Sequence, residues 1–201
     1  MGFIISTNMG DVEIKPNASV QDILALSMHP GIGDFADYRS IITNVEALAE
    51  QAVDARVALA VLGNLLLGYA VLRQPIPGER WREMPIMREL FCEVARGCRG
   101  SGIIETLLDC LHHQPEQEEL ILYLVGYSWH WDLPATGKNM QEYRQTLIHL
   151  VEKFGYKEYP TNEPNVGLRS ENLFMARMGA NLDTAQKRAF SRLLFGIAEN
   201  W

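Results

Sequence analysis

Apolar and polar positions change period several times along this chain, and each change marks an element. Gly2–Ser6 and Asp11–Lys15 flank the polar turn Thr7-Asn8-Met9-Gly10 and predict an N-terminal β pair. Ser19-Val20-Gln21-Asp22 has the composition of a capping box and predicts a helix through about Met28, stopped by His29-Pro30-Gly31. Residues from about Ala36 to Ala55 predict helix in one or two pieces, with a second capping box at Thr43-Asn44-Val45-Glu46. Arg56–Leu62 and Leu65–Leu72 predict a hairpin turned at Gly63-Asn64. Ile86–Val94 predicts a strand, and Ile103, Ile104, Leu107, Leu108 and Leu111 recur at the spacing of one helix face.

The continuous apolar run Glu119–Tyr127 predicts a second central strand, buried on both faces. A long helix is expected from about Asn139 to Phe154, stopped by Gly155. Lys157–Tyr159 and Leu173–Met178 predict the last strands. Phe190, Leu193, Leu194 and Ile197 share one face of a C-terminal helix over about 184–199. With no repeat, low-complexity tract or linker, the pattern predicts one domain over residues 1–201.

Composition narrows the class. Of 201 residues, 47% are apolar and 21% charged, which is a globular composition with material for a sizeable core. A net charge of −7 supplies no basic field, so nucleic acid is not an expected partner. Cys92, Cys98 and Cys110 make an odd number without a secretory start, the pattern of reduced thiols in a cytoplasm. Their spacing fits no zinc site, and His112-His113 lacks a third ligand nearby, so no metal is expected. Met1–Asp11 has neither the basic start nor the apolar core of a signal peptide. Met1-Gly2 through Ser6 fits the crude myristoylation pattern, but a first strand explains the same residues. The longest apolar stretch, Val57–Leu72, is broken by Gly63-Asn64 and Gly68 and reads as a hairpin instead of a membrane span.

Candidate chemistry gathers first at Phe91–Leu111. A strand ends at Val94, a turn with Gly97, Gly100 and Gly102 follows, and a helix begins at Ile103. The first turn of a helix has unpartnered N–H groups and favours negative charge; glycines let that backbone approach a phosphate, and Arg99 adds a forked cation. The turn reads as a pyrophosphate cradle or as a plain strand-to-helix connection. It is not a P-loop, having no Gly-Lys-Ser/Thr, and its glycine spacing does not fit the dinucleotide fingerprint. The second concentration is Gly126-Tyr127-Ser128-Trp129-His130-Trp131-Asp132-Leu133, directly after the second central strand. Its aromatics suit an apolar wall with polar tips, and His130 suits a base near neutral pH; spacing alone favours a packed loop with His130 bonded to a neighbour such as Asp132.

Arg99-Gly100-Ser101-Gly102-Ile103-Ile104 resembles the R-x-x-G-x-G/A turn of the GNAT acetyltransferases, with Ile104 where that superfamily prefers Gly or Ala. Further motifs resemble the acetoin-utilisation (AcuA) family: Glu79-Arg80-Trp81, Glu93-Val94, Trp129-His130-Trp131-Asp132-Leu133, Glu142-Tyr143-Arg144, Glu163-Pro164 and Met175-Ala176-Arg177-Met178-Gly179. These keep their order from about Gly68 to about Phe190. The resemblance implies an α+β GNAT fold, with a mixed, mostly antiparallel sheet of about six to seven strands, helices on both faces and a splay at the acetyl-CoA site. It implies an acetyl-CoA-dependent N-acetyltransferase working by direct attack in a ternary complex. The implied acceptor is a protein lysine, in AcuA-type proteins that of AMP-forming acetyl-CoA synthetase; a homo-oligomer is left open.

By the same resemblance Cys92, Val94 and Ala95 lie along the pantetheine arm, with the N–H near Val94 facing the thioester carbonyl. Arg99, Gly100, Ser101, Gly102, Ile103 and Ile104 hold the pyrophosphate. Glu93 stands at the general-base position, its alternative being a carboxylate paired with an arginine, and His130 is the second candidate. Tyr127, Trp129, Trp131 and Asp132 are expected on the acceptor side. Cys92 as an acyl nucleophile is disfavoured, since no histidine lies close in sequence. The chain departs from the superfamily's fourth-helix pattern at Arg144, Leu147 and Val151, the last standing where a tyrosine protonates the leaving thiolate. Another group or water then supplies that proton, or the chain is a weak catalyst. The alternatives are a non-catalytic acyl-CoA sensor on the same fold, or a thiol or metal protein using the cysteines and paired histidines.

Overall fold

A computed structural model describes residues 2–33 and 42–197. The chain divides into two compact units, Met1–Arg73 with Leu90–His113, and Gln74–Glu89 with Gln114–Trp201.

In the first unit β1 (Phe3–Thr7) and β2 (Gly10–Lys15) pair antiparallel, and Ser6 Oγ donates to Asp11 Oδ1 at 2.8 Å beside the turn. Val12 and Ile14 of β2 are fully buried while Asp11 and Glu13 face out, the alternation of a half-covered strand. Helix α1 (Val20–Leu24) opens on the expected capping box of Ser19 and Asp22. It ends before the expected Met28, because Ser27–Met28 instead form a short strand, β3, parallel to β5 (Leu65–Arg73). The Ser27 N–H donates to Asn64 O at 2.8 Å and the His29 N–H to Leu66 O at 3.1 Å, so a tertiary ladder replaces further helical bonds. Helix α2 (Val45–Gln51) is capped by Asn44, one residue later than expected, and the part foreseen at 36–41 lies outside the described residues. β4 (Arg56–Leu62) and β5 form the expected hairpin, buried along its middle and turned at Gly63 with φ 63°. Helix α3 (Ile103–His112) packs on both, with Ile103, Leu107, Leu108 and Leu111 in the core. Strand β6 (Met87–Val94) contributes Leu90–Val94 to this unit.

In the second unit Met87–Glu89 of β6 pair parallel with Ile121–Tyr123 of β7 (Ile121–Gly126). β7 starts later than the apolar run suggested, because Pro115–Glu119 close a 3₁₀ turn. β9 (Leu173–Met178) pairs antiparallel with β7 on one side and with β8 (Lys157–Glu158) on the other. Short helices α4 (Leu133–Thr136) and α6 (Pro164–Gly167) sit in connections; α5 (Met140–Glu152) and α7 (Thr184–Leu193) carry capping boxes from Asn139 and Asp183. Trp81 stacks on Phe174 at 4.5 Å between ring centres, and Tyr123, Phe190, Leu193 and Leu194 complete this core. α7 stops short of the expected 184–199. Gly196 takes φ 66°, and Ile197 N–H turns back to Arg192 O at 3.1 Å, a left-handed cap. Ile197 is therefore 49% exposed and does not join the apolar face formed by Phe190, Leu193 and Leu194.

Nine strands are present among the described residues; the two-residue β3 and β8 account for the excess over the six to seven expected. The pairings are mixed and mostly antiparallel. No helix among the described residues is long and apolar enough to cross a membrane.

Candidate functional site

The first unit gathers the cradle residues. Ala95 N–H donates to Leu67 O of β5 at 2.9 Å. Backbone groups alternate in direction along a strand, so the N–H groups of Cys92 and Val94 face the other edge of β6. Val94 O accepts from Arg99 Nε at 3.1 Å, so Arg99 folds back onto the strand end that precedes the turn. A 3₁₀ turn over Arg96–Cys98 follows, braced by Ser101 Oγ donating to Cys98 O at 2.6 Å.

Gly100 and Gly102 then take φ of 77° and 82°, a region that side chains enter only under strain. Among the described residues, a Cβ placed on Gly97, Gly100 or Gly102 would meet no atom within 4 Å. The described residues thus leave room beside the turn. Gly102 is the N-cap of α3 and makes no side-chain cap bond, whereas α5 and α7, the other helices of similar length, are closed by Asn139 and Asp183. The first amides of α3 are thus left without a capping side chain, at the positive end of the helix dipole. Ile103 points into the core at 1% exposure; Ile104 is half-buried, a bulky flank where the superfamily prefers Gly or Ala.

Glu93 precedes this turn on β6 and is buried. Its Oε1 accepts from the Gly33 N–H at 2.6 Å and its Oε2 from the Tyr69 hydroxyl at 3.0 Å. These two bonds fix one carboxylate oxygen each. Burial, and then the neighbouring Glu93 charge, push the Cys92 thiol up to about 12. It stays protonated at neutral pH, which disfavours it as a nucleophile on chemical as well as sequence grounds. Tyr69 and Gly33 were not foreseen as site residues. The available signal was a tyrosine within the aliphatic run Leu65–Leu72, since a buried hydroxyl needs a partner.

The second unit gathers Tyr127, Trp129, His130, Trp131 and Asp132. Ser128 N–H donates to Asn172 Oδ1 at 2.8 Å, and Asn172 Nδ2 to Asn165 O at 2.7 Å, which pins the loop at the end of β7. Tyr127 and Trp129 stack at 4.7 Å with 6° between their planes, and His130 meets both rings edge-on at 5.6 and 5.8 Å. The Arg169 guanidinium lies 5.7 Å from the Trp129 ring. Trp131 is 9% exposed and stacks on Tyr143 of α5 at 5.3 Å; Asp132 is fully buried. Burial lowers the His130 pKa below the ordinary imidazole value, so the neutral ring prevails at pH 7. Burial, then the Glu163 carboxylate, pushes the Tyr127 hydroxyl up to about 12.

Two of the departures on α5, Arg144 and Val151, also have structural accounts. Arg144 donates Nε to Glu171 O at 3.2 Å and pairs with the Glu158 carboxylate, tethering the helix to β8. Val151 is buried at 4% exposure among core side chains.

No family model matches the chain. The acetoin utilization protein AcuA of Bacillus subtilis (strain 168) is 31% identical over 196 residues, covering 95% of this chain and 92% of the relative. The crystal structure of an acetoin utilization protein from Exiguobacterium sibiricum superposes with a TM-score of 0.88 at 29% identity, covering 97% of this chain and 93% of that one. The GNAT domain of PAT from S. lividans gives a TM-score of 0.54 at 12% identity over 87% of this chain and 95% of its own. A Salmonella typhimurium protein solved with its cofactor acetyl-CoA gives 0.52 at 15% identity over 87% and 97%. The distant neighbours share the fold, and the near relatives share the sequence along almost its whole length: the chain belongs to the AcuA family of acetoin-utilisation proteins and is built on the GNAT acetyltransferase fold.

Proposed function

We propose that this chain is a cytoplasmic acetyl-CoA-dependent N-acetyltransferase, folded as a single GNAT-type domain and acting on a protein lysine. By resemblance to its family, that lysine belongs to AMP-forming acetyl-CoA synthetase. The observation that carries the reading is the glycine turn before α3: room left by the described residues beside Gly97, Gly100 and Gly102, two left-handed glycines, and a helix start with no capping side chain. Backbone amides there donate to the pyrophosphate of acetyl-CoA. The outward N–H groups of Cys92 and Val94 take the pantetheine arm, and the Val94 N–H stabilises negative charge on the thioester oxygen.

The lysine amine, once deprotonated, attacks the thioester carbon directly. A C–N bond forms, the C–S bond breaks, and the coenzyme A thiolate takes up a proton. Glu93 removes the amine proton, directly or through water, with His130 in its neutral form as the alternative acceptor. Tyr127, Trp129 and Trp131 serve the acceptor side, and Asp132, fully buried, supports the loop that carries them.

A Gly102→Asp variant places an anion on the cradle and closes the helix start as a cap. We expect acetyl-CoA affinity by calorimetry to fall tenfold or more, a loss of about 1.4 kcal/mol for a charge-assisted contact. Gly102→Ala adds only the strain of φ 82° and should cost stability while holding affinity within about threefold. Equal affinity in all three folded proteins would remove the cradle. Val151, packed where the superfamily's tyrosine acid stands, favours a second reading, an acyl-CoA sensor without turnover. Labelled acetyl-CoA incubated with acetyl-CoA synthetase separates the two: acetylated lysine supports the enzyme, and tight binding with no labelled acceptor supports the sensor.

A further inference from the structure

We infer that Tyr69 is the positioning residue of this site, holding the Glu93 carboxylate as a proton acceptor; this rests on the reading of Glu93 as the base. Tyr69 lies on β5 at 2% exposure, with its hydroxyl hydrogen directed at Glu93 Oε2 across 3.0 Å. Phe91 and Glu93 are two apart on β6 and so share a face. The Tyr69 ring meets Phe91 edge-on at 6.2 Å and 72° while its tip reaches Glu93, so ring and hydroxyl are fixed by the same strand. The Arg73 guanidinium, on the same face of β5, sits over the Phe91 ring, 4.8 Å from its centre.

The opposite oxygen of Glu93 is held by the Gly33 N–H at 2.6 Å. That segment is itself fixed: Gly31 N–H donates to His29 Nδ1 at 2.9 Å, and Gly31 O accepts from Arg96 N–H at 3.2 Å. The carboxylate is thus gripped from β5 and from the segment after β3. Both grips donate, and a donor to the charged form favours that form. Among the described residues beside this cluster, Arg73, Cys92 and His29 do not substitute for the hydroxyl. Arg73 is engaged with Phe91 and Gln51, the Cys92 thiol stays neutral up to about 12, and His29 accepts from Gly31 through its Nδ1. A buried tyrosine needs some acceptor for its hydroxyl in any case; an acceptor that is a carboxylate has its protonation biased by that bond.

The test reads Glu93 directly. Protein labelled with ¹³C at glutamate δ-carboxyls is titrated by NMR, with the Glu93 signal assigned by its loss in Glu93→Gln. Tyr69→Phe, which removes only the hydroxyl, should raise the Glu93 midpoint by about one pH unit, the size of one net hydrogen bond. Difluorotyrosine incorporated at position 69, a stronger donor, should lower it. Shifts of opposite sign support the inference, since a packing role predicts no such pair; an unmoved midpoint in both proteins overturns it. The acidic limb of the turnover profile with acetyl-CoA and acetyl-CoA synthetase is measured in parallel. If the midpoint moves and the limb does not, Tyr69 still sets Glu93 and it is the assignment of Glu93 as base that fails.

Discussion

Replacing Glu93 by glutamine is expected to lower kcat by roughly 10²-fold while leaving acetyl-CoA affinity within about twofold, the usual scale for losing a positioned general base. The exchange is mild for the fold. Glutamine keeps one carbonyl oxygen for the Gly33 N–H, and its NH₂ donates to the Tyr69 oxygen once that hydroxyl rotates. The expected stability cost is therefore about 1 kcal/mol, for two charge-assisted bonds becoming neutral ones. These two quantities separate the roles left open by the sequence. A base loses turnover with little stability, and a structural carboxylate loses stability with little turnover. Stopped-time assays across pH, paired with urea unfolding, give both. Wild-type kcat at every pH would move the proton to His130 or to solvent.

What the sequence made legible was what local rules decide. The β4–β5 hairpin followed from two apolar runs and Gly63-Asn64, and the face of α3 from its spacing of isoleucines and leucines. The strand, glycine turn and helix start proposed to form the cradle were legible because they are contiguous in the chain. What sequence did not show was decided at long range. α1 gave way to β3 because β5 offered the backbone of Ser27–Met28 a parallel ladder. The partners of Glu93 lie 24 and 60 residues away, so no local pattern joins them. At the second constellation, composition revealed two rare tryptophans but not how their faces are used. Trp129 is stacked on Tyr127 with Arg169 near its ring, and Trp131 lies against Tyr143, so each indole has a neighbour that its rarity in the sequence did not reveal.

The largest effect on stability is expected from a residue with no chemistry at all. Gly179, the last of the Met175–Gly179 motif, follows β9 and sits against the segment that leads into β7. A Cβ there would lie 2.2 Å from Glu118 O and 2.4 Å from Glu118 C, both backbone atoms that cannot rotate away. The surroundings leave little room for a shift. Gly179 N–H donates to Leu120 O at 2.9 Å, Asn181 N–H to Glu118 O at 3.0 Å and Ala180 N–H to Glu118 Oε2 at 2.7 Å. Arg177 pairs with the Glu118 carboxylate and donates to Gln117 O at 3.2 Å. Relieving the clash means parting this clamp, so Gly179→Ala should cost about 3 kcal/mol or more, the upper range for overpacking. Ala180→Gly, at an exposed neighbour, should cost under about 1 kcal/mol. Denaturant unfolding of the two variants decides it: a Gly179→Ala loss no larger than that of Ala180→Gly would mean the backbone steps aside freely. The clamp also has a pH signature. The Ala180 N–H, and then Arg177, hold the Glu118 carboxyl below its ordinary value. Its contribution is complete above the ordinary glutamate range and drains away as pH falls through the lowered value. Glu118→Gln should flatten that part of the acid limb, whereas Gly179→Ala, which parts the clamp by force, should lower stability at every pH.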